Sequence, residues 1–274
     1  MYYQRLDVRR AITDFANANG SDSVRECGFY NPQAKSIQRH PNGGGSQTPL
    51  YFNTPHEIDR ALALGASAFY CSYWRHRQGD LDNPLGRDLV WVIRAEQGGM
   101  GFVKEVTAWV IRALEAVGVS EPWVKYSGKL GFDLVIPLET IPCEVWAGSV
   151  EDLQGLQGSV TNYIVSYLCE RFSEVLVNGV ASPVIIKKKK ETCLLSELRV
   201  KRGLLLAPMS LNPKTGLVST TLDPKRVEDF SVFDASPEDA RGFDWTPPSQ
   251  VSYELIKYVQ PWFQASASER LAAF

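Results

Sequence analysis

Asp88-Leu-Val-Trp-Val-Ile-Arg-Ala-Glu96 (DLVWVIRAE) is the stretch from which the fold is read. It is dense in β-branched and aromatic residues, which predicts a strand. Side chains alternate along a strand, so Val92, Arg94 and Glu96 share one face and Trp91 and Ile93 the other. Residues 101–117 follow as an amphipathic helix, with Val106, Val110, Leu114 and Val117 at helical spacing. WVKYSG then leads into LGFDLVIPLE, a second β run split from the first half by Ser127-Gly128.

Working outward, residues 2–19 carry Leu6, Val8, Ile12 and Phe15 as a helical stripe before an Asn-Gly stop. Residues 20–55, broken by Gly and Pro and including Gly43-Gly44-Gly45, suit a short hairpin or sheet edge with an exposed loop. Residues 55–65 read as a helix with Pro at its start and Gly at its end. ASAFYCSYW reads as a strand, and 79–87 as a turn-rich loop. Downstream, 150–176 is helical by pattern, and a short VIIK strand precedes the Lys187–Lys190 run. RGLLLAPMSLNPKTGLVSTTL reads as two strands around an Asn-Pro-Lys-Thr-Gly turn. Residues 222–248 read as an extended arm, and the stretch from Ser249 onwards as helix. Strands and helices alternate without a strict βαβ repeat. The expected class is therefore α/β, or mixed α+β. The expected division is a domain over 1–248 and a helical extension over 249–274.

Composition narrows the function. The chain has 274 residues, 29 Lys plus Arg and 31 Asp plus Glu, for a net charge of −2. A hydrophobic share of 44% with so little net charge excludes intrinsic disorder. No apolar run is long enough to span a bilayer, so no membrane role is expected. A binder driven by bulk positive charge is excluded, but a local basic groove is not. Cys27, Cys71, Cys143, Cys169 and Cys193 are scattered, and His40, His56 and His76 are the only histidines. No zinc-ligand spacing results. Scattered thiols and a start without an apolar leader point to a cytoplasmic protein.

Four segments, in order, resemble the archaeo-eukaryotic primases, in particular the small catalytic subunit of archaeal DNA primase. They are FYCSYW (69–74), DLVWVIRA (88–95), SGKLGFDLVIP (127–137) and LLAPMSLNPKTGL (205–217). VRECGFY and the segment with Arg39 and His40 are similar to the family's N-terminal motifs. The resemblance spans roughly residues 25–235. It implies a primase-like domain in which two small sheets flank a cleft. It also implies template-directed nucleotidyl transfer with two divalent ions held by carboxylates.

This sequence departs from the family where the chemistry sits. The two metal-binding aspartates of the family fall on Val92 and Arg94. Valine offers no ligand, and a guanidinium repels a cation. At 4 Å and an effective dielectric near 20, each unit charge pair costs about 4 kcal/mol, and a divalent ion roughly doubles that. The family's phosphate-contacting histidine is Asp133, its arginine is Leu206, and its second histidine is Asn212. Glu197 is the nearest match to a third carboxylate. Ser127, Gly128, Gly131, Phe132, Pro208, Ser210, Lys214 and Gly216 remain.

The expectation is an inactivated primase small-subunit homologue, with no catalytic residues, no metal and no cofactor. It would act in DNA replication or repair. Its expected partners are a primase large subunit or another replication protein, DNA or RNA, or a nucleotide. One alternative is an active primase-polymerase with Mg or Mn held by Glu96, Asp133 and Glu197. Another is a nucleotide sensor. Arg94, Glu96 and Asp133 are expected to form an ion-pair network in an emptied cleft. Phosphate candidates are Ser127, Gly128, Lys129, Ser210 and Lys214, set against plain turns. Nucleic-acid candidates are Arg39, His40, Lys187, Lys188, Lys189 and Lys190, set against a solvated strand edge. Tyr70, Tyr73 and Trp74 are either base-stacking or core.

Overall fold

A computed structural model describes residues 2–18, 22–41, 48–119, 121–146, 149–179 and 182–245. The chain runs α1 (Leu6–Ala16), β1 (Cys27–Asn31), β2 (Ser36–Gln38), α2 (Pro55–Ala63), β3 (Ala68–Ser72), β4 (Trp74–Arg75), β5 (Gly86–Arg87) and β6 (Leu89–Gln97). It continues through α3 (Met100–Glu115), β7 (Trp123–Tyr126), β8 (Gly131–Ile136), α4 (Cys143–Trp146) and α5 (Val150–Arg171). The last strands are β9 (Leu176–Asn178), β10 (Val184–Lys188), β11 (Glu191–Glu197), β12 (Leu204–Leu206) and β13 (Thr221–Leu222).

Two antiparallel sheets carry the architecture. The larger has the order β13-β7-β8-β6-β11-β10-β9 and the smaller β12-β3-β1-β2. The motif strand β6 lies in the middle of the larger sheet. Its Leu89, Trp91 and Ile93 enter a core with Phe102, Val106 and Val110 of α3 and Leu153, Val160 and Ile164 of α5. The opposite face divides in two. At one end Val90, Trp123 and Val135 join a second core with Phe29, Phe69, Cys71 and Leu205 of the smaller sheet and Val8, Ile12 and Phe15 of α1. Beyond that junction the face is open to solvent, where the resemblance places the cleft. Along β6 burial falls from Val90, fully buried, through Val92, partly buried, to Arg94 and Glu96, both exposed.

Several boundaries differ from those read in the sequence. Residues 191–197 form β11, which pairs along the length of β6; polar Glu191, Thr192 and Ser196 had hidden it. The helix expected over 150–176 stops at Arg171, and Leu176–Asn178 form the edge strand β9. Lys187–Lys190 therefore lie in and around the β10–β11 hairpin, one strand in from that edge. The arm after Leu222 is folded into two 3₁₀ turns, Pro224–Asp229 and Val232–Ala235. The glycine triplet 43–45 and the helix expected from Ser249 onwards lie outside the described residues.

Candidate functional site

Strand register assembles the site. Val92 stands opposite Asp133 of β8 on one side and Ser196 of β11 on the other. Asp133 in turn stands opposite Lys125 of β7. Arg94 is one row further along, opposite Gly131 and Leu194. Directly opposed side chains lie about 5 Å apart, whereas the next row on the same face is about 7 Å away.

That offset corrects the expected Arg94–Glu96–Asp133 network. Asp133 is paired with Lys125, whose ammonium donates to Oδ2. The ammonium also donates to Ser219 Oγ at 3.1 Å, and Ser219 donates to Tyr126 O at 2.9 Å. Lys125 is fully buried and Asp133 is 5% exposed, so the pair is closed off inside the sheet junction. Arg94 and Glu96 are exposed and make no ion pair among the described residues. Lys125 was legible in principle, since alternation in WVKY places it on the face of Asp133, but only register makes them neighbours.

The third carboxylate also moves. Glu197 stands opposite Trp91, on the helix-covered side of the sheet. It accepts from Thr161 of α5 and pairs with Arg199. Glu96, Asp133 and Glu197 are therefore not brought together as the alternative metal site required. Among the described residues no three His, Cys, Asp or Glu side chains are grouped so as to hold a metal ion.

The two glycine turns do meet. The Ser127 N–H donates to Gly131 O at 2.9 Å, and Gly128 takes φ +74°, a left-handed conformation natural to glycine. Asn212 Nδ2 donates to Ser127 O at 3.2 Å, and Thr215 Oγ1 donates to Gly128 O at 2.6 Å. The Asn212-Pro-Lys-Thr-Gly216 turn is thus latched onto the Ser127–Leu130 turn. Lys129 and Lys214 are exposed on them. The Ala95 N–H donates to Leu130 O at 3.0 Å, tying this pair of turns to β6 beside Arg94. Gly131 is forced by close approach, because a Cβ there would lie 2.1 Å from Ile93 O.

Other expected site residues have structural partners. Ser210 is fully buried, and its Oγ accepts from the Phe69 N–H at 2.7 Å, which closes it to a phosphate. Leu206 is buried in β12 opposite Tyr70. Tyr73 and Trp74 are core residues whose polar atoms donate to Val200 O at 2.7 and 2.9 Å; Tyr70 is only partly buried. Arg39 pairs at 3.1 Å with the buried Glu26, which also holds Arg202. The His40 ring meets Thr48 O at 3.1 Å. Lys188 pairs with Glu105 at 3.0 Å over the Trp109 ring, on the helix side. Lys187, Lys189 and Lys190 are exposed, and alternation puts Lys187 on the cleft side with Ile185.

The residue that sequence reading passed over is Asp88. It is fully buried and accepts from Arg25, from Arg75 at 3.0 and 2.7 Å, and from the Leu138 N–H at 3.1 Å. Arg75 continues to Glu139 at 2.7 Å. Burial works to raise the Asp88 carboxyl, but Arg25 and Arg75 outweigh it and hold it below the usual range. Next to it Arg87, bonded to Gln157 and Leu198 O, is pushed down to about 10 by burial. This cluster anchors the start of β6 to β4, β8 and the smaller sheet.

A comparison with solved structures finds a similar fold in the polymerase domain of Mycobacterium tuberculosis Ligase D, solved in complex with DNA. The TM-score is 0.52 at 13% identity, over 94% of this chain and 88% of that one. The fold is that of a primase-polymerase domain. No family model and no curated protein matches the sequence. The mixed α/β architecture expected from the motifs is the observed one, and the domain is nucleotidyltransferase-like in fold. No described helix is long and apolar enough to cross a membrane.

Proposed function

We propose that this chain is a non-catalytic protein of the primase-polymerase fold, derived from a primase small subunit. It acts in DNA replication or repair by holding a nucleic acid, a partner protein, or both. A primase large subunit or an active catalytic subunit is the partner the sequence resemblance favours. One observation carries the reading. On the cleft face of β6 the positions opposite Asp133 and Gly131 hold a valine and a guanidinium, and Asp133 is itself neutralised by Lys125. Two-metal nucleotidyl transfer needs paired anionic oxygens at one point. Here a divalent ion would meet no ligand from Val92 and a repulsive charge from Arg94.

The test is primer synthesis and extension by the purified full-length chain with Mg²⁺ or Mn²⁺. The expected result is no product in either metal. Product that disappears in Glu96→Ala would overturn the proposal and favour a rebuilt metal site. A reciprocal variant, Val92→Asp with Arg94→Asp, should gain Mn²⁺ binding measurable by calorimetry or paramagnetic resonance.

A further inference from the structure

What sets the basic side chains of the open sheet face apart is their grouping at one end of β6, where two latched turns meet the strand. Several basic residues elsewhere are matched, Arg39 and Arg202 on Glu26, Arg199 on Glu197, Lys188 on Glu105 and Arg112 on Glu228, whereas Lys35, Arg60, Arg77 and Lys201 are exposed and outside any ion pair among the described residues. On the open face of the larger sheet and its two latched turns, Arg94, Lys129, Lys187 and Lys214 are exposed and none is in an ion pair among the described residues. The one uncompensated acid of that strand face is Glu96, because Asp133 is neutralised by Lys125. A chain of net charge −2 therefore presents a local positive excess at its cleft.

Arg94 is the best placed of the four. Gly131 opposite it carries no side chain, so nothing from β8 covers the guanidinium. The turn that ends at Leu130 runs alongside, held by the Ala95 to Leu130 hydrogen bond of 3.0 Å. It brings the exposed Lys129, and through Asn212 and Thr215 the Lys214 turn, to the same end of the strand. A guanidinium offers a planar fork of donors that fits two phosphate oxygens, and its charge is permanent.

We propose that the cleft binds phosphate groups without any divalent cation, Arg94 supplying in fixed form the positive charge that a metal ion would bring, with Lys129 and Lys214 flanking it. This rests on the non-catalytic reading above. The phosphate has two sources with the same chemistry, a nucleoside triphosphate or the backbone of a nucleic-acid strand.

The test uses the full chain with two probes, ATP and a labelled single-stranded oligothymidine, each titrated in Mg²⁺ and in excess EDTA. At least one probe should bind, with the same affinity in both buffers. Arg94→Ala should weaken that binding about tenfold to a hundredfold, as loss of a charged hydrogen bond implies. Arg94→Lys should recover part of it. Arg112→Ala, which removes an equal charge from α3 on the far side of the sheet, should change little. Binding of ATP alone assigns a nucleotide, and binding of the strand alone or of both assigns a nucleic-acid phosphate; each supports the proposal. Absence of binding by both probes, binding lost in EDTA, or an unchanged affinity in Arg94→Ala overturns it. Polymer formation in the Mg²⁺ arm would instead overturn the non-catalytic reading, so the two failures are read separately.

Discussion

Replacing Asp88 by asparagine should destabilise the whole domain while leaving the cleft surface untouched. The side chain keeps its shape and can still accept from the Leu138 N–H, but it loses its charge. Two arginines with no solvent exposure, Arg25 and Arg75, are then left sharing a neutral acceptor. Arg75 retains Glu139, whose side chain is 34% exposed, whereas Arg25 has no other acidic partner among the described residues. Removing one member of a buried ion pair costs about 3–5 kcal/mol, chiefly because the remaining charge is stranded away from water. With a urea slope of about 2–3 kcal/mol/M, the unfolding midpoint should fall by about 1–2.5 M. The assay is urea unfolding followed by tryptophan fluorescence, with Asp14→Asn at an exposed position of α1 as the surface control. The pH dependence supplies a second readout. The Asp88 carboxyl is held below its ordinary value in the folded state, so its contribution is complete above the unfolded value of about 4 and is lost as pH falls through the folded one. The wild type should lose that increment on acidification and the variant should lack it. A midpoint shift no larger than that of the control, or identical acid profiles, would refute the argument that this carboxylate anchors β6.

Two further outcomes follow from the geometry around the cleft. Asp133→Ala should cost about 3–5 kcal/mol by stranding the Lys125 ammonium, and Lys125→Met combined with Asp133→Leu should restore most of it; thermal melts of the single and double variants check this, and equal losses in both would contradict it. Gly131→Ala should cost about 1–3 kcal/mol or prevent soluble expression, because the added carbon collides with backbone rather than with a movable side chain; a melting temperature within error of wild type would contradict that.

The sequence by itself determined the elements and their order where local signals are strong. The alternation in DLVWVIRAE, the stripe over 101–117, and the two glycine turns fix strand, helix and turn through backbone preferences that act over a few residues. It also determined which side chains stand at the motif positions, since Val92 and Arg94 are what they are in any fold. The pairing of charges was a different matter. Whether Asp133 meets Arg94 or Lys125 depends on a register set between three strands. Whether Glu197 faces the cleft or α5 depends on the parity of a strand, β11, whose polar residues conceal it. The Asp88 carboxylate has no partner closer than Arg75 in sequence, and Arg25 reaches it from 63 residues away. Electrostatic partnership falls off over a few ångströms of space and takes no account of distance along the chain, so only the folded sheets decided which charges are spent on stability and which are left facing the cleft.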